Sequence, residues 1–257
     1  MALKHSLQYY VDLIVVLTHK ELKVRYKRSF LGYIWSVANP LVLAIVFFIA
    51  FRTVMKIQIE NYTLFLISGL FPWQWFANSV NASAMVCVGN APLIKKINFR
   101  PDVLVIATVL NDMLHFILSI PVIVAFIFFY GLKPNLVWTA GIPVLLIIQF
   151  MMVLGFSIAV SAINVFFRDI ERIVFILTTI LFYVTPIIYS EDMVPAKYKT
   201  FLLLNPLSLI MLSWRKLFMN GVMDFEAAGI AFLYAIVVLA IGYVIFSRLR
   251  WKFAEVL

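Results

Sequence analysis

The chain has 257 residues, of which 64% are hydrophobic, 16% aromatic and only 13% charged. A soluble domain averages ~25% charged residues, and a globule of this size could not keep so much apolar surface covered by so thin a charged shell. With a single cysteine, Cys87, and a formal net charge of +9, the composition excludes an ordinary soluble enzyme, a disordered chain and a disulfide-stapled secreted scaffold. It is that of an integral membrane protein, and such proteins commonly carry their positive charge on cytoplasmic loops, so no nucleic acid is implied.

In chain order, residues 1–29 predict a cytoplasmic interfacial helix. Its apolar stripe is smeared: 13–17 is apolar on every face, and 20–28 is basic on most faces. A half-embedded helix with cations at its C-terminal end suits the helix dipole; a plain positive-inside anchor is the alternative. No cleavable signal peptide is expected, because 13–17 is too short an apolar core and no small-residue site follows it. Six stretches then approach the ~20 apolar residues of a spanning helix: 30–51, 62–88, 103–130, 136–167, 173–189 and 227–247. The third and fourth exceed what a bilayer needs, so tilt or extension is expected. The fifth is short and ends in Thr185-Pro186.

Six spans put both termini on one side. Lys and Arg of 1–29, of the 89–102 loop (Lys95, Lys96, Arg100), of the 168–172 loop (Arg168, Arg172) and of the tail (Arg248, Arg250, Lys252) outnumber those opposite two to one. The opposite set is Arg52, Lys56, Lys133, Lys197, Lys199, Arg215 and Lys216. Both termini are therefore placed in the cytoplasm.

Before the last span the pattern breaks. Residues 186–226 contain Pro186, Pro195 and Pro206 and an apolar run at 201–214 interrupted by Asn205-Pro206. A run of 10–14 residues suits a re-entrant or interfacial element, and Asn205-Pro206 reads as an N-cap followed by Pro at the first helical position. Two short helices that dip into the outer leaflet and return would form a gate over 190–218, since irregular backbone at that depth must be buried in protein or line a cavity. A loop lying on the outer membrane surface is the other reading.

No Walker A, HExxH, CxxC or GxSxG pattern occurs. His5, His19 and His115 are scattered, which gives no metal site, and the cytoplasmic loops are too short to fold into an ATP-binding domain. Active transport would draw on another chain or an ion gradient. Within the spans, Asp112 with His115 one turn on and Asn111 beside it would suit a proton-coupled carrier, or would tie two helices by hydrogen bonds. Asn81, Gln149 and Asn164 read as interhelical hydrogen bonds, worth about 0.6 kcal/mol each. Tyr33, Trp35, Trp73, Trp75, Tyr183 and Tyr189 lie near span ends or prolines. They serve either as an interfacial belt or, facing inward, as flat surfaces on which sugar rings stack.

Four segments carry a resemblance that extends over nearly the whole chain. These are Glu21-Leu22-Lys23-Val24-Arg25-Tyr26-Lys27-Arg28-Ser29-Phe30-Leu31-Gly32-Tyr33-Ile34-Trp35 with Asn39-Pro40, then Phe167-Arg168-Asp169-Ile170, Thr185-Pro186-Ile187-Ile188-Tyr189 and Leu204-Asn205-Pro206-Leu207. In this order and spacing the sequence resembles the ABC-2 type permeases, and within them the polysaccharide and polyol-phosphate exporters of O-antigen, capsule and teichoic acid systems. The resemblance implies an all-α transport subunit of the bacterial inner membrane, not itself an enzyme. It implies a homodimer with a channel at its interface, a polyprenyl-linked glycan as cargo, and two copies of a cytoplasmic ATPase that would hold ATP and Mg. It also places coupling to that ATPase around 90–100, with Pro92, Lys95 and Lys96, and makes Arg168 and Asp169 candidates for the same inner interface. The outer gate would use Pro186, Pro195, Asn205 and Pro206. An ABC-2 exporter of a small molecule, the proton-coupled carrier, and a membrane-embedded glycosyl or acyl transferase are the competing functions; the last lacks a convergent set of catalytic groups.

Overall fold

The computed structural model describes residues 7–26, 34–56, 58–97 and 99–257, and among these the regular structure is entirely helical. Tyr33, the two ends of the 1–29 segment and the start of the 30–51 stretch lie outside the described residues. The first helix, α1 (Leu7–Tyr26), packs Leu17 against Val103, Leu104 and Ala107 at the start of α5 (Asp102–Phe129), while Val11, Val15 and Val16 stay exposed. Next, α2 (Ile34–Phe47) widens into a π-helical turn over Phe48–Val54. The helix α3 (Tyr62–Gly89) is followed by the short α4 (Ala91–Lys96), which has Pro92 in its first turn.

Beyond α5, α6 (Trp138–Phe166) and α7 (Ile170–Val184) are joined by a tight turn, and α7 stops at the Thr185-Pro186 step. The residue before a proline is pushed towards extended backbone, and Thr185 has φ −81° and ψ 135°. Two short helices follow, α8 (Ala196–Leu204) and α9 (Pro206–Arg215), bent by 96° and continued by a π-helical turn over Lys216–Asn220. Finally α10 (Phe225–Leu249) runs into a small C-terminal helix, α11 (Phe253–Val256).

Three of these helices, α5, α6 and α10, are long and apolar enough to cross a membrane, and the bent α8–α9 pair would be a fourth if it forms one broken span. The helix α3 is long enough but is diluted by Ser68, Gln74, Asn78, Ser79, Asn81 and Ser83. Most of its length is buried, because α2, α5, α6, α7 and α9 surround it. A helix walled by protein can carry polar groups that a lipid-facing one cannot.

The tightest packing joins α6 to α10. On α10 the buried positions Ala228, Ala231, Ala235 and Gly242 form a stripe of small residues. A Cβ on Gly155 would sit 2.6 Å from the backbone N of Leu239, and one on Gly242 would overlap the carbonyl oxygen of Gly155. Small residues let two backbones approach where apolar burial alone does not drive helices together. A second seam is aromatic. Trp75 of α3 stacks on Phe116 of α5 with centroids 5.7 Å apart, Phe116 meets Trp214 of α9 edge-on at 4.9 Å, and Trp214 stacks on Phe218 at 5.3 Å.

Side-chain bonds fix which helix ends lie together. At one end Asn164 donates to the Ala84 carbonyl (2.8 Å) and accepts from the Glu171 N–H (3.1 Å), which fastens the α6–α7 turn to the last turns of α3. There too Arg100 pairs with Asp102 at 2.6 Å and reaches the Tyr243 hydroxyl, while Phe253 of the tail packs on Phe166 and Phe246. At the other end the Trp138 indole donates to the Leu217 carbonyl (2.9 Å), and Lys216 pairs with Asp224 at 2.9 Å.

Asp224 also caps α10 by accepting from the Ala227 N–H at 3.0 Å. That backbone bond, with Lys216 second, holds its carboxyl below the usual carboxylate range. A depressed folded pKa stabilises above the unfolded value of ~3.9 and is lost as pH falls through the folded value. Asp224→Ala is therefore expected to cost about 1 kcal/mol at neutral pH, and the deficit should vanish in acid when denaturation midpoints are followed with pH.

Candidate functional site

A groove of about 470 Å³ runs between α2, α3 and α7. Its walls are aromatic, with Phe47, Trp73, Phe175, Phe182 and Tyr183, and its polar positions are Gln74, Asn78, Asn81, Thr178 and Thr179. The rings are ordered among themselves: Phe47 stacks on Phe182 at 5.6 Å, and Trp73 and Tyr183 approach Phe182 at 5.7 and 5.2 Å. Towards the α6–α7 turn a second cavity of about 370 Å³, lined by Asn81, Glu171, Arg172, Phe175 and Ile176, shares Asn81 and Phe175 with the first. Together they follow α7 from its charged N-terminal lip to the aromatic end beside Thr185. Asn81 is held by Thr178 across the groove, at 3.2 Å. Aromatic faces interleaved with amides and hydroxyls suit a ligand with apolar ring faces and many hydroxyls.

The six aromatic candidates separate on inspection of the fold. Tyr183, 59% exposed, and Trp73, only 4% exposed and packed on Phe76 and Phe182, both border the groove. Trp75 faces the opposite way, buried against α5 with its indole donating to the Val109 carbonyl at 3.3 Å. Tyr189 is half-buried and donates to the Val184 carbonyl (2.8 Å), Trp35 is exposed on α2, and Tyr33 lies outside the described residues.

Beside the Thr185 end of the groove, residues of the expected gate segment converge on one point that the sequence did not reveal. Arg215, assigned above to the outer charges, is buried: its guanidinium donates to the carbonyls of Pro186 (2.7 Å) and Ile187 (2.8 Å) and lies 3.6 Å over the Phe65 ring. Tyr62 donates to the Ile188 carbonyl at 2.9 Å, and Asn205 donates to the Thr185 hydroxyl at 3.0 Å while capping α9 through the Leu207 N–H. The non-helical stretch 185–188 is thus buried, and its carbonyls meet donors from α3 and α9 in place of water. Pro186, Asn205 and Pro206 belong to this knot; Pro195 is exposed at the start of α8. The sequence shows only a cation directly after the apolar run ending at Trp214, in the last turn of a helix whose dipole favours it; the carbonyls that let it be buried come from 28–29 residues away.

At the opposite end Pro92, Lys95 and Lys96 are exposed on α4, and Arg168 and Asp169 are exposed in the α6–α7 turn. Among the described residues Arg168 and Asp169 make no ion pair with each other. Asp112 and His115 are buried on α5, beside a cavity of about 30 Å³, with Ser79 donating to the Asp112 carboxylate at 3.1 Å. That space holds about a water molecule or two. Gln149 and Asn164 act as interhelical ties: Gln149 donates to the Pro72 carbonyl (2.7 Å) and accepts from the Trp214 indole (2.6 Å). Among the described residues no group of His, Cys, Asp and Glu is arranged to hold a metal.

Residues 12–219 match the ABC-2 type transporter family. The chain belongs to that family. It is 47% identical over 257 residues to an O-antigen export system permease protein RfbA of Klebsiella pneumoniae, covering 100% of this chain and 99% of that one. A namesake from Myxococcus xanthus is 33% identical over 98% of both chains. The polysialic acid transport protein KpsM of Escherichia coli is 24% identical over 88% of this chain and 89% of its own. With its long apolar helices, this ABC-2 chain is a multi-pass membrane transport protein.

Proposed function

We propose that this chain is the membrane-spanning subunit of an ATP-driven exporter that carries a lipid-linked polysaccharide of the O-antigen or capsule type across the bacterial inner membrane. The observation that carries the proposal is the 47% identity, end to end, with an O-antigen export permease. Six crossings fit the helices: α2 with its π-helical extension, α3, α5, α6, α7 and α10, with both termini cytoplasmic and α8–α9 dipping in from the outer face. The separation of the cations supports that orientation, since the α4 and tail lysines and arginines share one end.

Two copies facing each other through α2 and α7 would join their grooves into one channel. Sugar hydroxyls are too costly to strip of hydrogen bonds in hydrocarbon; along this route the amides of Gln74, Asn78 and Asn81 replace water, and Tyr183 and Phe175 offer ring faces. The polyprenyl tail stays in lipid. A cytoplasmic ATPase pair, holding ATP and Mg, binds the inner ends through α4 and the 168–169 turn, and favours one packing of the two permeases over the other. The buried knot around Arg215 closes the outer mouth.

The test is to purify the tagged chain in mild detergent, identify its partners and assay ATP hydrolysis, then ask whether Lys95→Gln with Lys96→Gln releases the ATPase. Loss of surface polysaccharide and accumulation of a lipid-linked glycan in cells lacking the chain complete the case. A stable chain that purifies without an ATPase would overturn it. Asp112→Asn separates this reading from a proton-coupled carrier: the amide keeps the hydrogen bond from Ser79, so export should change less than twofold. A carrier would lose transport with protein abundance unchanged.

A further inference from the structure

Asn81 is the polar side chain common to the two cavities along α7, and with Phe175 it marks where they meet. Gln74, Asn78 and Asn81 follow one another down one face of α3, so the amides of the groove lead to this point. Here the Asn81 amide donates to the Ala77 carbonyl at 2.7 Å and to the Thr178 hydroxyl at 3.2 Å. That hydroxyl has one proton and two acceptors in reach, the Phe175 carbonyl at 3.0 Å and the Asn81 side-chain oxygen at 3.4 Å. The shorter bond takes the proton, which leaves the Asn81 oxygen a weak contact and room for another donor. Gln149 and Asn164, the other amides that tie helices together, are fully buried and line neither cavity. Asn81 is half-buried in the wall of both.

The helix that Asn81 holds is thinly attached, since within α7 only Val174 and Thr178 are buried. Its first turn is fastened by the bond from the Glu171 N–H to Asn164, directly after the exposed Arg168-Asp169 turn. Towards its far end Phe182 packs on Phe47 and Trp73, and the chain then enters the Arg215 knot. Interhelical hydrogen bonds within membranes contribute little individually, and a sugar hydroxyl can bond an amide as Thr178 does. We infer that the Asn81–Thr178 bond is a latch released by cargo: a hydroxyl of a passing sugar replaces Thr178 at Asn81, and α7 moves away from α3. The turn at the N-terminal end of α7 carries that movement to the ATPase. While the groove is empty, the latch keeps α7 on α3 and hydrolysis slow. The cargo and the ATPase rest on the exporter reading; the bond and its hold on α7 do not.

The full chain, with the ATPase that accompanies it, is placed in nanodiscs. Spin labels on Leu118 of α5 and Ile180 of α7, both exposed, report the position of α7, and the buried Cys87 stays unlabelled. Thr178→Val keeps the shape and removes the hydroxyl. It should shift the labels towards a longer separation and raise cargo-free ATP hydrolysis, each by about fivefold, the weight of one ordinary hydrogen bond. Thr178→Ser, which keeps the hydroxyl, should match the wild type, as should Thr139→Val at the start of α6, outside the groove. Glycan-lipid extract from cells that lack the chain should move wild-type α7 as Thr178→Val does. In Asn81→Cys with Thr178→Cys, joining the thiols with a short bis-thiosulfonate should cut export at least about tenfold, and reductant should restore the unjoined rate. Wild-type label separation in Thr178→Val, no response of the wild type to the extract, or undiminished export by the joined protein overturns the proposal. If the chain purifies without an ATPase and its deletion leaves surface polysaccharide intact, the exporter reading fails and cargo release fails with it. The label separations of Thr178→Val and Thr178→Ser then still decide whether the bond holds α7 on α3.

Discussion

Arg215→Met should lower stability by about 3 kcal/mol and export by at least tenfold. The side chain bonds two buried carbonyls, those of Pro186 and Ile187, and each orphaned buried acceptor costs about 1–3 kcal/mol. Removing a desolvated charge returns part of that, and methionine still covers Phe65, so the estimate lies in the lower half of the range. Arg215→Lys should be no better: an ammonium is a point charge that cannot fork to both carbonyls or lie flat on the ring 3.6 Å below. Gly69 sets the same limit from the other side, since a Cβ there would stand 2.9 Å from the guanidinium. Denaturation midpoints of the purified variants check the stability, and hydrogen exchange at 187–188 should rise before the rest of the protein opens. If Arg215→Met has the wild-type midpoint and protection, the knot does not hold the outer mouth closed.

The second large effect is expected at the α6–α10 crossing. Gly155→Ala places a methyl 2.6–2.7 Å from the Leu239 backbone, and backbone cannot rotate away as a side chain can. Overpacking ordinarily costs about 1–3 kcal/mol; here the helices must separate along the whole small-residue stripe, so the upper end and a several-fold loss of folded protein in the membrane are expected. Gly229→Ala, on the facing helix α10 but with open space around it, is the control. It should be neutral or stabilise by up to about 1 kcal/mol, because alanine is the better helix former. Equal abundance and midpoints for the two variants would show that the crossing is not a close-packed one.

Little of the groove was legible beforehand: of the six aromatic candidates only Trp73 and Tyr183 line it, and Phe47, Phe175 and Phe182 were not singled out. Trp73 and Trp75 have the same side chain and nearly the same distance from the span end, so both stood as candidates for a sugar route. Two residues along a helix are about 200° apart, which sends Trp73 to the groove and Trp75 to the core seam with Phe116 and Trp214. Sequence reasoning had no means to say which face of α3 met α7. Arg215 fails for a related reason: a charge tally assumes that a cation near a span end is solvated, and only the return of 185–188 beneath it supplies the carbonyls that let it be buried. The Asn205 cap and the halt at Thr185-Pro186 were legible, because each depends on backbone sterics and bonds within a few residues.

The sequence by itself determined what local chemistry controls: a helical membrane chain, a helix stop at Thr185-Pro186, a cap at Asn205 and membership of a family whose motifs are short and ordered. The tertiary structure alone decided which aromatics share a groove, that α6 and α10 touch at Gly155 and Gly242, and that Arg215 is buried. Those facts join residues scores of positions apart. Their distances are set by how helices pack against one another, and no period or local propensity in a single stretch of chain encodes that.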